Sequence, residues 1–129
     1  MSDRDKTDAA ARAWIDGYVT AWNSNDEADI AALFVDDAEY RYEPWGEPER
    51  GVDAIVASWL KSRDEPGDCT FEWDVVGVDG DRAFVQGRTV YAPTDEQPVE
   101  RDYANLWVVD LADDGRARSF TEWFMRRTD

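Results

Sequence analysis

The sequence predicts an α+β fold in which a strongly bent antiparallel β-sheet wraps around three N-terminal helices and forms a cone with a pocket inside. Two observations support this prediction. Up to Leu60, apolar residues recur at helical spacing and only one short aromatic strand interrupts them. After Asp68 the hydrophobic period changes to two, which is typical of strands. Because such a fold encloses a cavity, we expect the residues that line this cavity to determine the function of the protein.

Three helices are predicted in the first half of the chain. The first begins at Asp8, after a polar segment at residues 1–7 that we expect to be flexible, and Asn23-Ser24-Asn25 ends it. Its apolar positions are Ala11, Trp14, Ile15, Tyr18, Val19 and Trp22. The second helix places Ile30, Leu33 and Phe34 on one face. The third follows Gly51 and turns inward Ile55, Val56, Trp59 and Leu60.

A short strand, Ala38–Tyr42, is predicted between the second helix and a proline-rich turn. Four long strands follow the third helix: Cys69–Val78, Arg82–Ala92, Val99–Leu111 and Arg116–Arg126. Tight turns at residues 79–81 and 113–115 indicate consecutive hairpins, and therefore an antiparallel sheet. With 129 residues, the chain is predicted to form one domain, 1–129.

The chain is strongly acidic, with a net charge of −16 from 30 acidic and 14 basic residues. Such a surface repels phosphate backbones and anionic lipids, so we expect neither nucleic acid nor membrane as a partner. Two origins of this charge stay open. The protein can belong to an acidic, salt-tolerant or high-GC proteome, or its charge can attract a cationic ligand.

Several kinds of chemistry are excluded by composition. The chain has no histidine, which removes His-based hydrolysis, dehydration and metal sites, and its one cysteine, Cys69, cannot form an internal disulfide. Asp36, Asp37 and Glu39 do not have the spacing of a calcium loop, and there is no glycine-rich phosphate loop. We therefore expect no cofactor and no metal. Without an apolar run near 18 residues or a signal peptide, the expected location is the cytoplasm.

Four segments of the sequence resemble the SnoaL-like group of the nuclear transport factor 2-like (cystatin-like) superfamily. They are YVTAWNSND, IAALFVDDA, the PWGEP turn before Gly51, and GRARSFTEWFM after the last hairpin. The resemblance spans about residues 10 to 126 and implies the same cone-shaped fold. The superfamily includes isomerases, cyclases, dehydratases, epoxide hydrolases and noncatalytic binding modules, so the fold does not choose among them.

Tyr18 is the first candidate catalytic residue that the resemblance implies. The run from Tyr18 to Asn23 is similar to a Tyr-Val-Ala-Ala-Leu-Asn run in ketosteroid isomerase, a distant relative, whose tyrosine belongs to an oxyanion hole. A phenol at the floor of a pocket can donate a hydrogen bond to a developing oxyanion. The alternative is a core tyrosine whose hydroxyl bonds to a local acceptor.

Glu43 is the second candidate, since the isomerase base lies just before a Pro-x-Gly turn and Glu43 precedes Pro44-Trp45-Gly46. This sequence departs from that pattern, because Glu replaces Asp and one extra residue precedes the proline. A shift of one residue reverses the face of a strand. If Tyr40 and Tyr42 point inward, Glu43 is an exposed turn carboxylate unless the strand bulges.

Glu122 is the third candidate, because alignment with the family places Phe120, Glu122 and Phe124 on the cavity face. A buried carboxylate is costly unless it is paired, protonated or reacting. Glu122 is therefore either an acid/base group or ligand anchor, or one half of a structural ion pair with Arg88 or Arg41. The neutral aspartate of the isomerase has no clean counterpart. The nearest inward candidates are Asn105 and Trp107, and Asn105 can donate a hydrogen bond unless it bonds to strand backbone.

An aromatic pocket that binds a small, largely apolar organic ligand is the function we expect. Its predicted lining consists of Trp22, Tyr42, Trp45, Trp59, Asn105, Trp107, Phe120 and Phe124, unless these residues only pack the core. Cofactor-independent acid/base chemistry of the isomerase, cyclase or dehydratase type would follow from Tyr18 with Glu43 or Glu122. The alternative is a noncatalytic ligand-binding or dimerisation module. A homodimer is expected through an outer sheet face formed by Trp73, Trp123 and Met125.

Overall fold

The computed structural model describes residues 3–62, 68–96 and 99–128, which form three helices and a six-stranded mixed sheet. The helices are α1 (Asp3–Ser24), α2 (Glu27–Ala31) and α3 (Val52–Lys61). The strands are β1 (Phe34–Arg41), β2 (Glu49–Arg50), β3 (Cys69–Asp79), β4 (Arg82–Tyr91), β5 (Arg101–Leu111) and β6 (Ala117–Arg126). The α+β class with three helices and a curved, unclosed sheet is confirmed, and four details of the prediction are corrected below.

Helix α1 begins at Asp3 rather than Asp8, so residues 3–7, which we expected to be flexible, are helical. Asp3 and Asp5 in its first turn suit the positive end of the helix dipole. The hydroxyl of Thr7 donates a hydrogen bond of 2.8 Å to the carbonyl of Gly80, which ties this first part of the helix to the β3–β4 turn. This tertiary contact explains why the polar segment is ordered from Asp3 onward.

Helix α1 ends at Ser24, within the Asn23-Ser24-Asn25 sequence that was predicted to end it. Asn25 has a φ of 51°, in the left-handed region that Asn tolerates better than most residues. Asp26 then caps α2, because its carboxylate accepts hydrogen bonds from the backbone N–H groups of Ala28 and Asp29. The two helices therefore meet at a defined angle rather than as one continuous rod.

The sequence predicted Leu33 and Phe34 in the second helix, but α2 ends at Ala31, Leu33 lies in the turn that follows, and Phe34 begins β1. The carbonyl of Leu33 already accepts a hydrogen bond of 2.8 Å from the backbone N–H of Ala117, so the chain is extended at this point. Burial of Ile30, Leu33 and Phe34 is common to both conformations. The apolar spacing alone could not separate a helix end from a strand start.

The sheet is mixed, with the strand order β2-β1-β6-β5-β4-β3. Strands β3 to β6 pair antiparallel as predicted, but β1 runs parallel to β6, with Tyr40 opposite Phe120. The prediction of an entirely antiparallel sheet is wrong here. No hairpin joins β1 to β6, so the local sequence contained no turn from which their relative direction could be deduced.

The inner sheet face packs against α1 and α3, and aromatic rings form much of this contact. Phe120, 1% exposed, lies at its centre, with ring centroids 5.7 Å from Trp14, 5.6 Å from Tyr18 and 4.6 Å from Tyr40. Trp73 also lies on this inner side and packs against the core. The prediction that Trp73 lies on the outer face is therefore wrong.

No helix in the described ranges is both long and apolar enough to cross a membrane.

Candidate functional site

A cavity of about 330 Å³ opens inside the curved sheet and is closed on one side by α1 and α3. Of the residues predicted for the site, eight line it: Tyr18, Trp22, Tyr42, Trp59, Asn105, Trp107, Glu122 and Phe124. Six further lining residues were not in that prediction: Tyr40, Ser62, Thr89, Tyr91, Arg101 and Tyr103. Strand periodicity could have identified Tyr103 and Arg101, since they continue the two-residue spacing of Trp107 and Asn105 along β5.

Three predicted site residues lie elsewhere. Glu43 is exposed in the turn after β1, and Trp45 in the same turn is 91% exposed. The extra residue before Pro44 has the effect that strand alternation predicts, because Tyr40 is buried and Glu43 is outside. Phe120 does face inward, but it is buried beneath Tyr18 and Tyr40 as part of the core. The structure therefore does not bring Glu43, Trp45 or Phe120 to the cavity surface.

Glu122 lies on β6 opposite Trp107 of β5, and its side chain ends a chain of hydrogen bonds. The Thr89 hydroxyl donates to Oδ1 of Asn105 over 2.7 Å, and the Nδ2 group of Asn105 donates to Oε1 of Glu122 over 3.0 Å. Oε2 of Glu122 is buried and has no hydrogen-bond partner within the described residues. One carboxylate oxygen is thus held in place while the other is buried with its hydrogen-bonding capacity unused among the described residues.

The carboxyl group of Glu122 is mostly buried, and desolvation raises its pKa from 4.5 to about 7. The hydrogen bond from Asn105 opposes this rise. The nearby indole of Trp107 also lowers the pKa, although its N–H does not reach hydrogen-bond geometry with any described residue. Glu122 can therefore exchange a proton near neutral pH, as a general acid or base requires.

The arginines that were candidates for an ion pair with Glu122 bind other carboxylates. Arg88 makes two hydrogen bonds to Asp102, of 2.9 and 2.7 Å. Arg41 lies 3.9 Å from Glu39. The alternative in which Glu122 is half of a structural ion pair with Arg88 or Arg41 is contradicted by these contacts. Because no described arginine pairs with Glu122, burial raises the pKa of its carboxyl group rather than an ion pair lowering it.

Tyr18 of α1 and Tyr40 of β1 form a buried phenol pair, with 2.7 Å between their hydroxyl oxygens. Burial raises the pKa of Tyr18 and of Tyr40 well above 10, so both phenols are neutral. In such a pair one hydroxyl donates and the other accepts, and the accepting phenol keeps its own hydrogen for a third group. Because both residues line the cavity, that third group can be an oxygen of a ligand.

Aromatic rings surround this phenol pair. The Tyr18 ring lies 4.9 Å from Trp59 and 4.6 Å from Trp107, measured between centroids. The indole N–H of Trp59 donates a hydrogen bond of 3.2 Å to Oδ1 of Asn25, which orients that ring. Phe71 stacks on Trp107 at 4.8 Å and supports it from the side of β3. These rings form a preorganised apolar surface that suits a flat or alicyclic molecule.

The structure offers no evident metal centre: no cluster of three or more acidic or cysteine side chains suited to a metal ion occurs in the described part of the chain.

The family of the protein follows from comparison of its sequence with family models. The SnoaL-like domain model matches residues 15–120, which is most of the chain. The match includes the second half of α1, most of the cavity lining and the start of β6, and it ends just before Glu122 and Phe124. The chain belongs to the SnoaL-like family. Among curated proteins, none matches its sequence.

Solved structures of similar shape agree with this assignment. A putative ketosteroid isomerase from Kribbella flavida is 20% identical, with a TM-score of 0.70 over 100% of this chain and 84% of that one. An epoxide hydrolase of M. tuberculosis, described as LEH-like, is 17% identical, with a TM-score of 0.65 over 96% and 86%. An NTF-2 like protein of unknown function from Burkholderia xenovorans is 16% identical, with a TM-score of 0.69 over 99% and 90%. At these identities the likeness establishes the SnoaL-like fold.

Proposed function

We propose that this SnoaL-like protein binds a small, largely apolar carbonyl compound in its cavity and catalyses cofactor-independent acid/base chemistry on it. The observation that supports this most directly is the carboxyl group of Glu122. It is buried in an aromatic cavity, one oxygen is fixed by Asn105, and the other oxygen has no partner among the described residues. A carboxyl group that is oriented but incompletely bonded suits proton transfer better than it suits packing.

The proposed reaction begins with removal of a proton from the carbon beside the carbonyl group. Oε2 of Glu122 takes this proton, and the electron pair of the broken C–H bond moves to the carbonyl oxygen as an enolate. The free hydroxyl hydrogen of the Tyr18–Tyr40 pair donates to that oxygen and stabilises its charge. In a β,γ-unsaturated substrate this enolate is conjugated with the carbon–carbon double bond, so return of the proton from Glu122 to the γ-carbon shifts the double bond and isomerises the substrate, and no oxidant or metal is required.

The names of two structural neighbours, a putative ketosteroid isomerase and an epoxide hydrolase, agree with acid/base chemistry in such a cavity. Their low identity supports the fold and leaves the reaction to be tested on this chain. Of the two carboxylates predicted from sequence, we assign the base role to Glu122. Glu43, at an exposed turn, is left as a control.

Exchange of the α-hydrogens of 2-tetralone for deuterium in D₂O, followed by proton NMR, tests this proposal. We expect the wild-type protein to accelerate exchange, and Glu122→Gln to reduce the acceleration by about a hundredfold, within the usual range for a general base. Glu43→Gln should exchange at the wild-type rate. No acceleration by the wild-type protein, or full activity of Glu122→Gln, would contradict the assignment.

Noncatalytic ligand binding is the second candidate, and Trp107 favours it. The indole N–H of Trp107 is buried in the cavity without a hydrogen-bond partner among the described residues, and the proton-transfer scheme does not use it. Such a donor can anchor an oxygen atom of a ligand that is held unchanged. Binding of 2-tetralone without any exchange of its α-hydrogens would favour this function over catalysis.

We also propose that the protein is a homodimer, and we place the contact on the outer sheet face. Leu106, Trp123 and Met125 are 38%, 49% and 75% exposed on neighbouring strands, and Leu106 lies opposite Trp123. Contiguous exposed apolar side chains of this size are typical of an interface. Leu106 takes the place of Trp73, which the sequence had wrongly assigned to this face.

A further inference from the structure

Arg101 is a cationic side chain that lines the cavity and that the proposed reaction does not use. Its Nε atom is buried and has no hydrogen-bond partner within the described residues. A buried donor without an acceptor is unfavourable, and more so when it belongs to a charged group. Most of the other described arginines form an ion pair with a carboxylate in the described ranges, and Arg101 does not, so its position requires a separate explanation.

The acidic residue beside Arg101 does not neutralise it. Asp102 is bound by Arg88 over 2.7 Å and lies 3.7 Å from Arg127. Because successive residues of a strand point to opposite faces, Asp102 and Arg101 belong to opposite sides of β5. No ion pair joins Arg101 to an acidic side chain in the parts of the chain that the structure describes.

The guanidinium group of Arg101 is instead stacked on an aromatic ring. Its central carbon lies 4.7 Å from the centroid of Tyr91, opposite it on β4. A guanidinium that stacks by its face keeps its N–H groups directed outward in the plane, where they match the two oxygens of a carboxylate. The contact with Tyr91 therefore holds the guanidinium group at the cavity wall without supplying an anion.

Aromatic residues connect Arg101 to the deeper part of the cavity. The Tyr103 ring lies 6.0 Å from both Tyr91 and Phe124. Arg101 is four residues before Asn105 on the same face of β5, a separation of about 13 Å along a strand. A ligand that spans this distance would contact Tyr103 with its apolar body and reach Glu122 at its other end.

We propose that Arg101 binds the carboxylate of an organic acid, so that the ligand of this cavity is an amphipathic acid with an aromatic or alicyclic body. The carboxylate would lie at the end remote from Glu122. This inference rests on the proposed function, because it assumes that the cavity binds a small organic molecule, and it adds the chemical class of that molecule. The net charge of −16 repels anions at long range, so recognition must come from direct contact with Arg101.

Titration calorimetry with 2-naphthoate and 2-naphthamide tests the proposal, because the two probes share a shape and differ in charge. The measurement is made at about 0.15 M salt, which screens the field of the acidic surface. A pH of about 6 keeps naphthoate ionised while Glu122 holds its proton. We expect naphthoate to bind about tenfold more tightly than the amide, as one charge-assisted contact would allow.

Arg101→Gln should remove this preference by weakening naphthoate about tenfold and leaving the amide unchanged. Arg118→Gln is the matched control, since Arg118 lies outside the cavity beside Asp81 and its loss changes the net charge equally. Equal affinity of wild-type protein for both probes, or an equal effect of Arg118→Gln, would overturn the role of Arg101.

The proposed function and this inference fail in different ways. If neither probe binds the wild-type protein, ligand binding by the cavity is itself contradicted. If both bind without preference for naphthoate, only the inference about Arg101 is overturned. If Arg101→Gln does not fold, as judged by circular dichroism, the comparison of the two probes on the wild-type protein still decides the matter.

Discussion

The side-chain amide of Asn105 donates a hydrogen bond of 3.0 Å to one carboxylate oxygen of Glu122 across neighbouring strands, and the second oxygen is buried without a partner among the described residues. Thr89 orients Asn105 in turn, because its hydroxyl donates to Oδ1 of the amide over 2.7 Å. The amide can therefore present only its N–H₂ group to Glu122. This arrangement fixes the direction of the carboxyl group without neutralising it.

Replacement of Glu122 by Gln should change how stability depends on pH. The folded protein keeps the proton of Glu122 up to about pH 7, whereas the unfolded chain loses it near 4.5. Between these values the unfolded state binds fewer protons, so the contribution of Glu122 to stability falls as the pH rises. Glu122→Gln should match wild type near pH 4 and exceed it by on the order of 3 kcal/mol at about pH 8. Urea denaturation across this range measures the difference.

Glu43→Gln is the control for this measurement, because Glu43 is a carboxylate at an exposed turn. We expect the stability of Glu43→Gln to differ little from that of wild type. A Glu122→Gln curve parallel to wild type at all pH values would show that Glu122 is not desolvated in the way the structure indicates.

The Tyr18–Tyr40 pair should show coupling in a double-mutant cycle. Each single change to Phe removes one buried hydroxyl and leaves the other without its partner at 2.7 Å. We expect each to cost about 1–3 kcal/mol, and the double variant to cost less than the sum by about 1 kcal/mol. Chemical denaturation of the four proteins measures these values.

Tyr42→Phe is the matched comparison, since the Tyr42 hydroxyl also makes a 2.7 Å hydrogen bond, to Ser58, but the residue is 42% exposed. Water can replace that partner, so the loss should be smaller than at Tyr18 or Tyr40. Strictly additive effects at Tyr18 and Tyr40 would argue against a direct bond between the two phenols.

Gly87→Ala should destabilise the protein and disturb the cavity. A Cβ atom at Gly87 would lie 2.6 Å from Cε1 and 2.8 Å from Cζ of Phe71, and 3.1 Å from the carbonyl oxygen of Glu72. The ring of Phe71 stacks on Trp107, so its displacement moves a lining residue. We expect a loss of about 1–3 kcal/mol in thermal denaturation.

Gly46→Ala provides the control, because its Cβ would meet Glu43 no closer than 3.9 Å. Combination of Gly87→Ala with Phe71→Leu should recover part of the lost stability by removing the ring atoms that clash. If Gly87→Ala is as stable as wild type, the close approach of Phe71 to β4 is not present in solution.

Trp123→Ser should convert the proposed dimer to a monomer. Trp123 lies beside Leu106 on the outer sheet face and is 49% exposed, so the change removes apolar contact area without opening the core. Light scattering should give twice the chain mass for wild type and the chain mass for Trp123→Ser. Trp45→Ser, at a turn residue that is 91% exposed, should leave the dimer intact. A monomeric wild type at moderate concentration would contradict the proposal.

Alternation along strands explains most of what the sequence could predict about the cavity. The two-residue spacing placed Asn105 and Trp107 of β5 on one face, the resemblance to the family placed Glu122 and Phe124 of β6 on the cavity face, and all four line the cavity. Alternation gives the face of a residue but not its depth. Phe120 was therefore assigned to the cavity although Tyr18 and Tyr40 cover it.

Other features depended on which strands become neighbours, which a single sequence does not reveal. Arg88 was an open partner for Glu122 until the register of β4 and β5 brought it to Asp102. The misplacement of Trp73 was avoidable, since the polar residues Glu72 and Asp74 on either side already indicated that Trp73 faces inward.

The parallel pairing of β1 with β6 has a consequence for the synthesis of the protein. Phe34 lies opposite Ala117 and Tyr40 opposite Phe120, and on the ribosome the first residue of each pair emerges long before the second. Strands β3, β4 and β5 can cover α1 before β6 is made, but until then β1 lacks its long neighbouring strand, so Phe34 and Tyr40 stay without Ala117 and Phe120. Long-range pairing of this kind slows folding and leaves apolar surface exposed until the pairing is complete. We therefore expect the nascent chain to need chaperone protection late in translation.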